Sequence, residues 1–370
     1  MIGWEDYRVA DPEALETPAM LLFQDLIECN IRNVCELAGS PQNLIAHVKT
    51  HKSEAITRRL LQEGIDGFKC ATLKELEMVL QAGARKAILA YPQVQMCKIK
   101  RLCDLAASYP DAWVAAIVSS PIHLEMLATA TARRKQLLPV MLDLDAGMHR
   151  TGVGLGRNAT KLYREIDQHP FLQASGFHCY DGHDVCSDVH QREAAARRHI
   201  DSLQEFRRQI ESAGMPVPHV VAGGGYSFAY YARTEGMHGS PGSFIYWDAG
   251  CRSVAPDLPF LCAAAILCQV VDRYPDMGTF TTDLGSKAIC SDLPAKERAR
   301  LLGHETAELI LQNEEHGVFR MPGDLPDVGE YLLAVPGHIG PTTVCHPGSY
   351  VIDSAGRVCD FWAHTARDRK

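Results

Sequence analysis

Lys49 and His47 stand two residues apart at the end of an alternating stretch, Asn43-Leu44-Ile45-Ala46-His47-Val48-Lys49. Read as a strand, the stretch turns Leu44, Ala46 and Val48 to one face and Ile45, His47 and Lys49 to the other. An amine and an imidazole on an inward face are costly unless something uses them. A lysine whose pKa is lowered by burial or by neighbouring cations can capture a carbonyl carbon as a Schiff base. Lys52, in the following His51-Lys52 pair, has the opposite parity if the strand continues, so Lys49 is the better candidate. The plain alternative is that His47 and Lys49 lie just past the strand end, solvated.

These groups need a scaffold, and the sequence supplies a regular one. Strand-like runs at 18–23, 43–49, 67–71, 86–92, 113–118, 138–145, 174–180 and 219–222 alternate with amphipathic helical stretches. Thr72-Leu73-Lys74-Glu75 is a capping box opening one of those helices. Strand then helix, repeated eight times by about residue 235, predicts parallel strands with crossover helices. That rhythm fits a closed (β/α)8 barrel of the TIM type better than its alternative, a doubly wound open sheet. After about residue 240 the rhythm changes to short strands at 244–247, 263–271, 278–282, 331–335, 349–352 and 358–362, separated by Gly, Pro and Asp, with one helical stretch near 296–302. The expected organisation is an α/β barrel over 17–245 and a mostly-β domain over 246–370, which the arm 1–16 could join.

Barrels place their reactive groups at the C-terminal ends of strands. There the sequence puts His47 and Lys49; Asp143 and Asp145, then Gly147-Met148-His149-Arg150; His178, Tyr180, Asp181 and His183; and Gly223-Gly224-Gly225-Tyr226-Ser227. The glycine run after the last predicted strand, before a short helix from Phe228, frees backbone amides to form an anion site, although a flexible turn would give the same letters. Phosphate beside a Schiff-base lysine points to pyridoxal 5'-phosphate (PLP), an electron sink for a carbanion next to an amino group. A cofactor-free aldolase lysine acting on a phosphorylated sugar is the competing chemistry.

Composition narrows the classes further. The chain has 370 residues and a formal net charge of −8, with no basic run to suggest nucleic acid. No apolar run reaches membrane-spanning length, and Met1-Ile2-Gly3-Trp4-Glu5-Asp6 is not a secretory start. Thirteen scattered cysteines without a CxxC pair read as free thiols in a reducing cytoplasm.

The chain resembles the D-threonine aldolase and D-serine dehydratase family, which shares the alanine-racemase-type PLP barrel. The resemblance runs nearly the full length. It is carried by Thr17-Pro18-Ala19 with Leu21-Leu22 and Asp25; His47-Val48-Lys49-Thr50-His51-Lys52; Asp145-Ala146-Gly147-Met148-His149-Arg150-Thr151-Gly152-Val153; Tyr180-Asp181-Gly182-His183; Gly223-Gly224-Gly225; Pro241-Gly242-Ser243; and Pro336-Gly337-His338-Ile339-Gly340-Pro341-Thr342. It implies that Lys49 holds PLP and serves as a base, with His47 beside it. Arg150 would lie near the cofactor's phenolic oxygen or the substrate carboxylate; otherwise it makes a surface salt bridge with Asp143 or Asp145. Tyr180 would lie close to the pyridine ring, with His183 nearby, or else be a core tyrosine with a satisfied hydroxyl. Gly224, Gly225, Tyr226, Ser227, Gly242 and Ser243 would cradle the phosphate. Alanine racemases carry an arginine on the pyridine nitrogen just before the Pro241 position; here it is Ser240. The family's C-terminal motif, His-x-Cys or His-x-Asp before Pro-Thr, binds a divalent metal. This chain has His338-Ile339-Gly340, which leaves His338 without the usual second ligand. Cys345 and His346 follow at a different spacing. His338 could instead act directly as general acid or base, or be a structural loop histidine.

The resemblance implies a PLP-dependent lyase acting on a β-hydroxy-D-amino acid, most simply by retro-aldol cleavage to glycine, or another amino acid, and an aldehyde. The alternatives, in order, are dehydratase-like β-elimination to a keto acid and ammonia, amino-acid racemisation, and a non-catalytic PLP-binding protein. It also implies a homodimer.

Overall fold

A computed structural model describes residues 7–369. The chain divides into two compact units. One is built from Val34–Lys49 and Ile56–Gly242; the other from the described residues up to Asn33, with Thr50–Ala55 and Ser243–Arg367. The first strand, β1 (Ala19–Phe23), is buried at every position, as its unbroken apolar run predicts. It is not a barrel strand, however. It pairs antiparallel with β10 (Ala264–Tyr274) and parallel with β16 (Gly348–Ile352) in the second unit. A run buried on both faces fits a central strand of any sheet, so the letters do not choose between the two. Helix α1 (Gln24–Ala38) follows.

The barrel unit is an eight-stranded, all-parallel sheet in sequential order. Its strands and intervening helices are β2 (Ile45–His47), α2 (Glu54–Gln62), β3 (Gly67–Cys70), α3 (Leu73–Gln81), β4 (Lys86–Leu89), α4 (Met96–Ser108), β5 (Trp113–Val118), α5 (Pro121–Arg134), β6 (Leu138–Asp145), α6 (Arg157–Asp167), β7 (Leu172–Tyr180), α7 (Val189–Ser212), β8 (Val220–Ala222), α8 (Phe228–Ala232) and β9 (His238–Gly239). The stretch predicted as the eighth strand is thus the seventh of the barrel. The eighth is the two-residue β9, too short to show as a hydrophobic pattern. A parallel bridge from Leu44 to Gly239 closes the ring. The Ser240 hydroxyl donates to the Ile45 carbonyl at 2.7 Å, and the His47 N–H donates to the Pro241 carbonyl at 2.8 Å.

Inside the ring, Ile45, Ile88, Ala115, Ile117, Met141 and Val221 pack as one buried cluster. Ile45 therefore faces inward, and strand alternation places His47 on the same side. The capping box at α3 forms as read. Thr72 accepts the Glu75 N–H at 3.1 Å, and the Glu75 carboxylate reaches back to the Ala71 N–H at 2.6 Å.

The second unit contains α9 (Ala249–Val254), β10, β11 (Thr279–Thr282), β12 (Ala299–Leu301), β13 (Glu308–Gln312), β14 (Gly317–Arg320), β15 (Tyr331–Pro336), α10 (Ile339–Cys345), β16 and β17 (Val358–Ala363). Strand order is β13-β14-β11-β10-β1-β16-β17, with β15 paired to both β10 and β12. Tyr7, Leu15, Leu21, Phe23, Leu267 and Ile352 belong to its core. Two expectations fail here: 244–247 contains a 3-10 turn, Ser243–Ile245, and 296–302 holds a 3-10 turn and β12 in place of a helix.

Candidate active site

The C-terminal ends of the barrel strands gather the titratable groups. β2 ends at His47, and Lys49 stands exposed in the turn that follows. The Lys49 N–H donates to His47 Nδ1 at 3.3 Å. His47 is buried, and its pKa is held well below the ordinary imidazole value, first by desolvation and then by the charges of Lys69, Lys49 and His178. It is neutral at physiological pH.

Lys69 is the site residue that the sequence reading missed. It sits on β3 directly opposite His47 in register and is 2% exposed. Burial first, then the Lys49 charge, lowers its amine to about 7, against the pull of Asp143 and Asp181. The parity that turned His47 inward would have found it, because Gly67 and Lys69 pair with Ile45 and His47. Its ammonium lies 5.6 Å from the Tyr180 ring centroid. The Arg150 guanidinium is 5.1 Å from the same centroid, so two cations flank one aromatic ring.

Asp143 and Asp145 divide their duties. Asp143 Oδ1 is 2.7 Å from His178 Nδ1, both residues are buried, and the two are paired across β6 and β7. The remaining side-chain atoms, His178 Nε2 and Asp143 Oδ2, are buried with no hydrogen-bond partner. Asp145 instead folds its own loop. It accepts the N–H groups of Gly147 at 2.9 Å and His149 at 3.0 Å, and its other oxygen meets His149 Nδ1 at 2.6 Å. The aspartate at 145 thus takes His149, and Arg150 goes to Tyr180. Asp143, His178, Tyr180, Arg150, Tyr91 and Met148 line one cleft.

The glycine loop after β8 is braced from below. Asp181 is buried, which raises its carboxyl pKa, and accepts the Ser227 hydroxyl and the Tyr231 hydroxyl at 2.9 Å each. Ser227 in turn accepts the Gly224 N–H at 3.1 Å. In this arrangement the Ser227 hydroxyl holds the loop in shape. The glycines are required by space as well as by conformation. Gly223 has φ +80°, and a Cβ on Gly224 would lie 2.9 Å from Tyr180 Cε2. Gly225 and Tyr226 are half-buried, Gly242 is buried, and Ser243 opens the 3-10 turn of the second unit. His183 is exposed. With Asp184 and His199 it forms the one group of three His, Cys, Asp or Glu donors, among the described residues, that converges closely enough to hold an ion. His199 Nε2 to Asp184 Oδ2 is 2.6 Å.

In the second unit, His338 stands at the N-cap position of α10, without a side-chain capping bond, and its side chain is 49% exposed. Its Nδ1 lies 2.6 Å from Asp292 Oδ2. Asp292 Oδ1 accepts the Cys290 thiol at 3.1 Å. Burial alone would raise the Asp292 carboxyl, but the bonds from Cys290 and His338 outweigh it and hold the pKa below the usual value. The Cys290 N–H donates to the Thr342 hydroxyl at 3.1 Å, which donates to the His338 carbonyl at 2.8 Å. A Cβ at position 340 would lie 3.8 Å from His338 Nε2, so the backbone puts that position beside the ring and glycine leaves it bare. Cys345 and His346 are engaged elsewhere: His346 Nε2 meets the Ala288 carbonyl at 2.8 Å, and the Cys345 thiol meets the Pro341 carbonyl. His51, from the motif around Lys49, is buried with Nδ1 accepting the Ser53 N–H, and desolvation lowers it to about 3.

Buried polar atoms without a partner, a lysine-bearing rim and a glycine loop packed against Tyr180 define a class: a parallel barrel with a polar rim, joined to a β-sheet domain. Residues 24–249 match the alanine racemase N-terminal domain, and 263–352 match a putative serine dehydratase domain. The chain belongs to the alanine racemase N-terminal domain family. It is 25% identical to the 3-hydroxy-D-aspartate aldolase of Paracoccus denitrificans strain Pd 1222, over 97% of this chain and 94% of that protein. It is 25% identical to the D-threonine aldolase of an Arthrobacter species, over 96% and 94%. The solved structure of D-threonine aldolase from Filomicrobium marinum superposes with a TM-score of 0.87 at 27% identity, covering 95% of this chain and 96% of that one. Among the described residues, no helix is long and apolar enough to cross a membrane.

Proposed function

We propose that this protein is a PLP-dependent lyase that cleaves β-hydroxy-D-amino acids between Cα and Cβ, giving glycine or another amino acid and an aldehyde. The observation that supports it most is the convergence, at one rim of one barrel, of Lys49, the buried Asp143–His178 pair with its two unpartnered buried atoms, and the glycine loop packed on Tyr180. These groups fit PLP. Lys49 would attach the cofactor through its amine, and the loop of Gly224, Gly225 and Tyr226, held in shape by Ser227, would bind its phosphate together with Gly242 and Ser243. Bound PLP supplies the electron sink for the pair left on Cα.

The chain's own groups do the rest. Arg150, with Lys69 part-protonated near neutral pH, sets a positive field around Tyr180 that favours an anionic cofactor and a substrate carboxylate. Neutral His47 beside Lys49 adds no charge to oppose the amine. His338 accepts the β-hydroxyl proton, and Lys49 moves the proton at Cα. Ser240, its hydroxyl given to Ile45, brings no positive charge to the ring nitrogen. We further propose a homodimer, in the cytoplasm; the barrel half of the expected 17–245 and 246–370 division begins at Val34, because β1 belongs to the other unit.

The serine dehydratase match over 263–352 favours β-elimination as the second reading. There, Lys49 would remove the Cα proton and His338 would protonate the leaving hydroxyl. Incubation with a panel of D-β-hydroxy amino acids separates the two. Glycine with an aldehyde supports the first, and ammonia with a keto acid the second. Racemisation would appear as loss of optical rotation with solvent exchange at Cα. Bound PLP without turnover would mark a carrier. Borohydride should trap PLP on Lys49, and a protein that takes up no PLP refutes the whole reading.

A further inference from the structure

We propose that Asp292 is the positioning residue for His338, and that this pair performs the proton transfer at the substrate β-hydroxyl without a divalent metal; the proposal rests on the lyase reading above. The usual two-donor motif requires a second ligand two residues after the histidine. Position 340 is correctly placed for one, since its Cβ would lie 3.8 Å from His338 Nε2, but it is glycine. With Nδ1 given to Asp292, Nε2 alone is a poor site for a divalent ion. Among the described residues, His338 belongs to no group of three converging donors, and Cys345 and His346 are bonded elsewhere.

What the chain has instead is a carboxylate on the other ring nitrogen. With Asp292 Oδ2 2.6 Å from Nδ1, the proton of a neutral His338 sits on Nδ1 and its lone pair on Nε2, on the side that Gly340 leaves open. Such a carboxylate fixes the tautomer and ring orientation. The Cys290 and Thr342 bonds anchor Asp292's segment to α10, so the aspartate cannot swing away without breaking them.

The step then balances without an ion. His338 Nε2 takes the β-hydroxyl proton. The O–H pair becomes the second bond of the aldehyde carbonyl as Cα–Cβ breaks. The Cα–Cβ pair stays with Cα, which takes up a proton drawn from water, and His338 returns its own proton to water. Nothing along the chain flags the partnership, because Asp292 and His338 are 46 residues apart.

The test uses the full-length protein with PLP bound. After dialysis against a chelator, turnover of the β-hydroxy-D-amino acid panel should stay within about twofold and gain nothing from added Mn²⁺, Co²⁺ or Zn²⁺. Asp292→Asn should lower kcat about 100-fold, with KM within threefold and the PLP absorption band unchanged. Asp292→Glu should recover at least tenfold of that loss. Calorimetric titration with MnCl₂, in a His183→Ala background to silence the barrel cluster, should show no uptake by the parent and one ion per chain in Gly340→Asp. Chelation that abolishes turnover, restored by metal, overturns the proposal, as does Asp292→Asn with unchanged kcat. One Mn²⁺ bound by the parent and lost in His338→Ala overturns it even if no substrate is found. Absence of turnover both with and without metal instead refutes the lyase reading.

Discussion

Lys69 offers the sharpest test of the barrel electrostatics, because its energetic effect can be calculated before any substrate is known. Its pKa falls from the model-compound 10.5 to about 7, by burial first, with Lys49 and Arg150 pushing down and Asp143 and Asp181 pulling up. A drop of that size corresponds to roughly 5 kcal/mol of selective destabilisation of the charged form. The folded protein binds this proton more weakly than the unfolded chain does. The group therefore destabilises the cofactor-free fold fully below about pH 7, and the penalty fades as pH rises toward 10.5. Lys69→Met keeps the length and removes the charge. It gives up a contact with the Tyr180 ring worth about 1 kcal/mol. We expect the variant, stripped of PLP, to be more stable than the parent by about 3–4 kcal/mol at pH 6 and by about 1 kcal/mol or less at pH 9.5. Urea unfolding at the two pH values measures both. A variant less stable than the parent at pH 6, or a difference that does not change with pH, would show that Lys69 is not held as a buried, easily deprotonated amine.

Asp143→Asn removes the partner of His178 and part of the charge that supports Lys69, and should destabilise the fold by about 3 kcal/mol in urea unfolding. Combined with Lys69→Met, the loss should be smaller than the sum of the separate effects, a coupling that a double-mutant cycle reads directly. Gly224→Ala puts a Cβ 2.9 Å from Tyr180 Cε2; PLP affinity, titrated by absorbance, should fall tenfold or more for the roughly 1–3 kcal/mol of crowding. Ser227→Ala leaves the buried Asp181 with one donor fewer and should cost about 1–3 kcal/mol, seen as a lower urea midpoint.

The elements near the site were legible where local chemistry wrote them. Alternation placed Ile45 and His47 on the inner face, Thr72 and Glu75 announced the start of α3, and the glycine run marked the loop after β8. Three features were hidden for physical reasons. β1 is apolar on both faces, and a run buried on both sides carries no information about its sheet. β9 is two residues of a closing strand, shorter than any period. Helix α10 begins Ile339-Gly340-Pro341, and glycine and proline read as loop although proline is tolerated in a first turn. Partnerships were the least legible part. That Asp145 holds His149, that Ser227 braces Asp181, and that Asp292 meets His338 are facts of three-dimensional closure.

The position of β1 has a consequence for the order in which the protein is made. The barrel strands are contiguous along the chain, and the ring can close once Gly239 has been synthesised. β1 is made before all of them, yet its partners β10 and β16 both follow the last barrel strand. Until β10 emerges, Ala19-Met20-Leu21-Leu22-Phe23 is an orphan apolar segment with two unsatisfied edges, and one edge stays open until β16 follows. A newborn chain should therefore hold a folded barrel while still presenting a sticky N-terminal strand. Chaperone dependence and losses to aggregation during expression should trace to that strand, and relieving them should begin there.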